Sequence, residues 1–471
     1  MDPETPRGAS PLSDTLWKPK RRKTYPHFDG HLSDRAIHAL VTNPTRVARN
    51  AFYPFIVFEK KFNRFGTTTP RDDRQKSRQL RYACRKDSYI YEYYRELLAA
   101  RYEAELKKRG LSEVVIAYRK LRTPNGHGMC SVDFAHFAFR RIASHDKCIA
   151  MVLDISNYFE SLDHARIKQI WCTLLNRSTL PQDHYAIFKS LTRYRQMPRE
   201  EVYRRLGLDD VPRNELPIQL CTASEFRAKL VIPPGAISTN PEKFGIPQGA
   251  PVSDLIANFY LLDFDQSVDN YVGEIGGYYR RYCDDILIVY ADSSRKWEEV
   301  QSFVQTQIAE CGTQLQIKQS KTCVHSFDHK RQPPCLSLKG DSKRFEYLGF
   351  QFDGARAKFR DRTVSAFYRK LKWALRSEAR SIANRFRGKP LSFIVEKFDE
   401  SKFLEKFGRK KGFSEVHDVR EWTFWTYVHR SAEIMGDLSP QMYKQVTNYK
   451  RFVRRHAPLA LREAHDKANK L

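Results

Sequence analysis

The chain has 471 residues, with 82 Lys plus Arg against 55 Asp plus Glu, a formal charge of +27 and 13% aromatic residues. That balance suits a partner built of phosphates and stackable bases, although charge alone would fit a ribosomal or chromatin protein equally. The sequence excludes three other classes: no apolar run has membrane or signal-peptide length, and nine cysteines without a CxxC pair or matching histidines argue against a disulfide or zinc scaffold.

Residues 1–25 are rich in Pro, Ser and charge, lack an apolar period, and are expected to form a disordered basic segment. Residues 76–106 start basic and strand-like, then place Ile90, Tyr94, Leu97, Leu98 and Tyr102 at helical spacing. VVIAYRK, residues 114–120, reads as a further strand, with Arg119 and Lys120 as candidate contacts to a phosphate backbone. In CIAMVLDISNYFESLDHARI a hydrophobic run, Ile149 to Leu153, delivers Asp154 to a strand end, and a helix follows from about Asp163.

NPEKFGIPQGAPVSDLIANFYLLDFD, residues 240–265, is a Gly/Pro-punctuated loop running into a helix in which Asp254, Asn258 and Asp265 interrupt apolar residues. Gly249 has no Cβ, and Pro247 and Pro251 stiffen the turn, which suits a surface that a base pair or nucleotide approaches closely. In YYRRYCDDILIVYAD, residues 278–292, Asp284 and Asp285 stand at the tip of a strand pair, and ILIVY is apolar enough to be buried on both faces. Side chains alternate along a strand, so one of the two acids is expected to be the main cation ligand and the other its support. Asp154 with Asp284 is the expected clamp for two Mg²⁺ ions, with Asp285 beside them. Beyond residue 358 the chain turns helical and basic: Phe367, Leu371, Ala374 and Leu375 share one face, Trp422, Trp425 and Val428 follow at helical spacing, and the last basic helix is a candidate RNA contact.

Taken in order, Asp154 with Phe159 five residues on, the loop Pro247-Gln248-Gly249 and the hairpin Tyr282-Cys283-Asp284-Asp285 resemble the palm motifs of reverse transcriptases. Lys321 in LQIKQSKTCVHSF and the segment FEYLGFQF, residues 345–352, which is similar to a primer-grip hairpin, extend the resemblance. AFYPFIVFEKKF (residues 51–62), the fingers pattern and AYRK resemble the bacterial defence-associated, abortive-infection-like enzymes more than retroviral or intron ones.

The resemblance implies an α/β right-hand polymerase. Residues 26–148 would form the fingers, 149–355 the palm and 356–471 a helical basic thumb. It implies Asp154, Asp284 and Asp285 as catalytic metal ligands with the Ile155 carbonyl, and Phe159 as the steric gate against a ribose 2′-hydroxyl. Gln248 and Gly249 would face the incoming nucleotide, Lys321 and Arg78 its phosphates, and Tyr347 and Gly349 the nucleic acid. The implied function is a cytoplasmic RNA-directed DNA polymerase using Mg²⁺, with Mn²⁺ as a substitute, and dNTPs to make cDNA. Its template would be a structured non-coding RNA in antiphage defence, and a homo-oligomer is compatible. The alternatives are a retron- or group II intron-like retroelement enzyme and a non-catalytic RNA-binding factor on the same fold.

Overall fold

A computed structural model describes residues 16–63, 75–291, 295–407 and 423–469. Its strands, in chain order, are β1 (Phe55–Asn63), β2 (Gln75–Tyr82), β3 (Lys147–Asp154), β4 (Arg195–Pro198), β5 (Ser238–Thr239), β6 (Tyr278–Tyr282), β7 (Asp285–Tyr290), β8 (Cys323–Asp328), β9 (Cys335–Ser337), β10 (Phe345–Tyr347), β11 (Phe350–Phe352) and β12 (Ala357–Phe359). They form three sheets, ordered β2-β1-β4-β5, β6-β7-β3-β8-β9 and β10-β11-β12.

The five-stranded sheet is antiparallel throughout and is buried on both faces. On β3, Met151 and Leu153 join one core while Ala150 and Val152 join another. On β7, Ile286, Ile288 and Tyr290 face the first core, and Leu287 and Val289 the second. This alternation explains the unbroken apolar run ILIVY, since each such side chain contributes about 1.5–3 kcal/mol when it leaves water.

The first core is closed by the helices Arg85–Lys108, His164–Leu175, Ser253–Tyr260, Leu262–Glu274 and Trp297–Glu310. Asp163 starts the second of these by accepting the Arg166 N–H at 2.8 Å, satisfying a donor that the first turn would leave open. The second core is closed by the β10–β12 sheet and the helices Ser131–Ala143, Asp361–Arg385, Phe424–Met435 and Tyr449–Asn469. Phe367, Leu371, Ala374 and Leu375 are buried there, as are Trp425 and Val428. Trp422 lies outside the described residues.

Two segments differ from expectation. Residues 16–25 are packed rather than loose: Trp17 is buried, its Nε1 donates to Glu96 at 2.8 Å, Lys20 pairs with Glu96, Arg22 with Asp34, and the Tyr25 hydroxyl donates to the Ala83 carbonyl. Two rings and a set of ion pairs anchor a stretch whose average polarity hides them, while residues 1–15 of the expected segment lie outside the described residues. Residues 114–120 form no strand. Val115 makes one bridge to Arg281, and the chain then turns at Tyr118, whose φ of +58° ends any extended run.

Candidate active site

Strand parity decides which carboxylates meet. Asp154 follows Ala150 and Val152 in parity, and Asp285 follows Leu287 and Val289, so both lie on the face of the second core. They are directly opposite in the β3–β7 register, where paired Cβ atoms stand about 4.5–5.5 Å apart. The sequence pairs Asp154 with Asp284; the register pairs it with Asp285, because Asp284 occupies the two-residue turn between β6 and β7.

That turn is tight and strained. Cys283, its first residue, has φ +58°, a conformation rare for a side chain bearing Cβ and a recurrent feature of functional sites. Its geometry is held from both sides. The Ile155 N–H donates to the Asp284 carbonyl at 3.0 Å, and the buried Arg281 guanidinium donates to the Cys283 carbonyl at 3.0 Å. Arg281 is itself clamped by Asp265 through two bonds of 2.7 and 2.6 Å.

Burial and the neighbouring Asp284 and Asp154 push the Asp285 carboxyl up to about 7. Asp284 is raised by burial and then by Asp154. The Lys321 ammonium opposes this crowding and bonds the Asp154 Oδ2. Asp154, Asp284, Asp285, Lys321, Arg78, Tyr347 and Gly349 line a single cleft of about 1120 Å³.

Tyr347 and Gly349 belong to the β10–β11 hairpin, whose turn residues Leu348 and Gly349 both have positive φ, +45° and +97°. The Tyr347 hydroxyl is buried without a hydrogen-bond partner among the described residues. Sequence reading misses Arg360, which also lines the cleft, offsets the rise of Asp285 by its charge, and has a buried Nε with no partner among the described residues. Its only signal is a basic residue at the junction of β12 and the following helix.

The remaining candidates stand outside this lining. Phe159 is half-buried in a single turn, Tyr158–Glu160, and its carbonyl accepts the Ile246 N–H at 2.9 Å, tying that turn to the Pro247-Gln248-Gly249 loop. The Gln248 carbonyl accepts the Arg81 N–H at 3.0 Å. Gly249 has φ +121°, and a Cβ there would lie 2.3 Å from the Arg81 carbonyl oxygen. The backbone that this glycine admits is the chain's own β2. Arg119 does not face a groove: its guanidinium bonds Glu103 and the carbonyls of Ser112 and Val115, while Lys120 is exposed.

The family model for reverse transcriptase (RNA-dependent DNA polymerase) matches residues 102–352, which contain the three carboxylates, Phe159, the Gln248–Gly249 loop, Lys321 and the β10–β11 hairpin. The chain belongs to the reverse transcriptases. The family is one of nucleotidyltransferases, and its fold is the right-hand polymerase fold of mixed α/β content expected from the sequence.

This reverse transcriptase matches no curated protein sequence. Among solved structures it is similar to telomerase from Candida tropicalis in complex with a TWJ fragment of telomeric RNA, at 12% identity and TM-score 0.38, covering 93% of this chain and 68% of that one. It is similar also to apo telomerase from Candida tropicalis truncated from the C-terminal domain, at 9% identity and TM-score 0.37, covering 60% of this chain and 52% of that one. The chain thus spans between about half and two thirds of the length of these telomerase chains.

Reverse transcriptase domains use divalent metal ions. The donor chemistry here fits such an ion: three carboxylates, hard oxygen donors, crowd one another, and burial together with Asp284 and Asp154 pushes Asp285 up to about 7. Among the described residues no three His, Cys, Asp or Glu side chains are arranged as a ready cage. Lys321 sits on Asp154, so a cation entering there displaces an ammonium.

Proposed function

We propose that the chain is an RNA-directed DNA polymerase that makes cDNA from dNTPs, with Asp154, Asp284 and Asp285 as its catalytic carboxylates. The observation that carries this reading is the in-register pair Asp154–Asp285 beside the Asp284 turn, in a cleft rimmed by Arg78, Lys321 and Arg360. When bound there, two Mg²⁺ ions supply acidification of the attacking 3′-hydroxyl and neutralisation of the leaving pyrophosphate. The basic rim neutralises a triphosphate and aligns it against the carboxylates. Phe159 is the proposed gate under the sugar, and the β10–β11 hairpin, with Tyr347 and Gly349, is the proposed grip on the primer end. In this reading residues 26–148, 149–355 and 356–471 act as fingers, palm and thumb.

The test is incorporation of dNTPs on a primed RNA template with Mg²⁺. Asp284→Ala is expected to abolish it while the far-ultraviolet circular dichroism and melting profile stay those of the wild type. Incorporation near the wild-type rate would remove the carboxylates from the reaction.

The finer proposal is a bacterial defence enzyme that copies a dedicated structured non-coding RNA in the cytoplasm. Its support is the likeness of AFYPFIVFEKKF, the fingers pattern and AYRK to the abortive-infection-like enzymes. Sequencing the RNA that co-purifies with the protein and the DNA made from it tests this. One discrete RNA is expected with wild type and Asp284→Ala alike, and its complementary DNA with wild type only. A branched retron product or an intron template would instead give the retroelement reading.

A further inference from the structure

Away from the carboxylate cleft, the β1–β2 ribbon carries a second cavity of about 330 Å³ whose walls include Tyr25, Phe58, Tyr82 and Tyr203, with Arg199 and Arg213 beside them. The rings are set at steep angles: Tyr25 and Tyr82 have centroids 5.1 Å apart at 76°, and Phe58 and Tyr82 6.0 Å apart at 64°. They are also fixed. The Tyr25 hydroxyl is bonded to the Ala83 carbonyl, and the Arg199 guanidinium lies 5.1 Å from the Phe58 centroid. Arg199 also pairs with the largely exposed Glu200, whereas Arg213 is exposed.

The chemistry of these walls narrows the occupant. Two guanidiniums repel a cationic guest, which rules out the ammonium ligands that aromatic cages otherwise take. A phosphorylated peptide would be served by the arginines alone and would leave four rings without a planar partner. A nucleotide uses both, its base against the rings and its phosphate on the guanidiniums. The volume admits one such group and no duplex. Base pairs cannot enter, so the nucleotide must be unpaired.

The ribbon also links this cavity to the cleft. Arg78, which lines the cleft, and Tyr82, which lines the cavity, have the same parity on β2, and their cross-strand partners are Lys60 and Ile56. Four residues of strand separate them, about 13 Å at ~3.3 Å per residue. One face of the ribbon therefore leads from the carboxylates to the rings.

We propose that this cavity holds an unpaired nucleotide of the RNA strand, outside the reacting base pair, and so acts as a second RNA-holding site beside the β1–β2 ribbon. The inference rests on the polymerase reading for the identity of the strand, but not for the chemistry of the cavity.

The experiment uses the full chain and a short 5′-fluorescein oligouridylate carrying one 4-thiouridine. Affinity is read by anisotropy, and crosslinked peptides are mapped by mass spectrometry. Crosslinks are expected on peptides containing Tyr25, Phe58, Tyr82 or Tyr203, in addition to cleft peptides. Tyr203→Ala is expected to weaken binding about tenfold and to erase the cavity crosslink, as loss of one stacking ring does elsewhere. Tyr203→Phe keeps both, and Arg213→Glu, at an exposed position that leaves the fold intact, weakens binding with a shallower salt dependence.

Crosslinks confined to the cleft, or wild-type affinity in both Tyr203→Ala and Arg213→Glu, overturn the proposal. Equal loss with fluorescein-oligothymidylate overturns its assignment to RNA. Incorporation without cavity crosslinks retires the cavity and leaves the polymerase standing; cavity crosslinks without incorporation do the reverse.

Discussion

Arg281 is the residue on which the shape of the catalytic turn depends. It is fully buried on β6, bonds Asp265 twice, and donates to the carbonyls of Cys283 and Asn258, while the Tyr279 hydroxyl donates to the same Asp265 at 2.7 Å. Arg281→Met preserves bulk but strands a carboxylate with one remaining hydrogen bond, a loss of about 3–5 kcal/mol for a broken buried pair. Two carbonyls also lose their donor, at about 1–3 kcal/mol for each buried group left unsatisfied. Removing both charges, in Asp265→Leu with Arg281→Met, abolishes the stranded charge and is expected to recover several kcal/mol relative to Arg281→Met alone.

The double variant still leaves the Cys283 carbonyl without its donor, so Cys283 is free to leave φ +58° and the Asp284–Asp285 turn relaxes. The assay is a mutant cycle on the urea midpoint, run beside dNTP incorporation on a primed RNA template. The expected result is restored stability without restored incorporation. If the single and double variants unfold at the same midpoint, the pair is not coupled; if the double variant incorporates like wild type, Arg281 does not shape the turn.

Gly249→Ala should place a Cβ 2.3 Å from the Arg81 carbonyl at φ +121°, forcing β2 off the Pro247-Gln248-Gly249 loop. A KM for dNTP several-fold higher, with smaller change in melting, is expected; unchanged kinetics would mean that the loop can move away at no cost. Phe159→Ala should relax discrimination against ribonucleotides in a competition assay, and wild-type discrimination would remove the gate. Acid stability tests two buried titratable groups near β2.

His27 is held neutral, with Nδ1 accepting the Phe28 N–H and Nε2 facing the Tyr82 carbonyl, and burial lowers it from 6.5 to about 4. The unfolded chain binds that proton first, so this contribution is present above pH 6.5 and lost as pH falls towards 4, by up to ~3 kcal/mol. Asp87, raised by burial from 3.8 to about 6, acts with the opposite sign: the folded chain binds its proton first, and stability is gained as pH falls from 6 to 3.8. Asp87→Asn should therefore unmask the His27 loss as a steeper fall of the urea midpoint between pH 6 and 4, and parallel curves for variant and wild type would refute the assignment.

What the sequence exposes about this molecule is what repeats locally. The alternation of β3 and β7, the helical spacing of Ile90, Tyr94 and Leu98, and the strand-acid-turn order around Asp154 are periodic, and periodicity survives without knowledge of neighbours. What it hides depends on single long-range contacts. Asp265 reads as a polar interruption of an apolar helix until Arg281 is placed against it from β6. Asn258 reads the same way until its amide reaches the Ala117 carbonyl. Val114 and Val115 have strand composition, yet among the described residues their strand-like pairing is a single bridge to Arg281 before Tyr118 turns away, so tertiary context overrides propensity.

Arg119 and Arg78 are alike as letters, but one is folded inward onto Glu103 and the other lines the cleft. Gly249 shows the same limit in a sharper form. Absence of a Cβ does announce a close approach, and it cannot say to what. The partner is the Arg81 carbonyl, so the loop fastens the β1–β2 ribbon to the carboxylate sheet, and any role of Gly249 toward a nucleotide has to act through that seam.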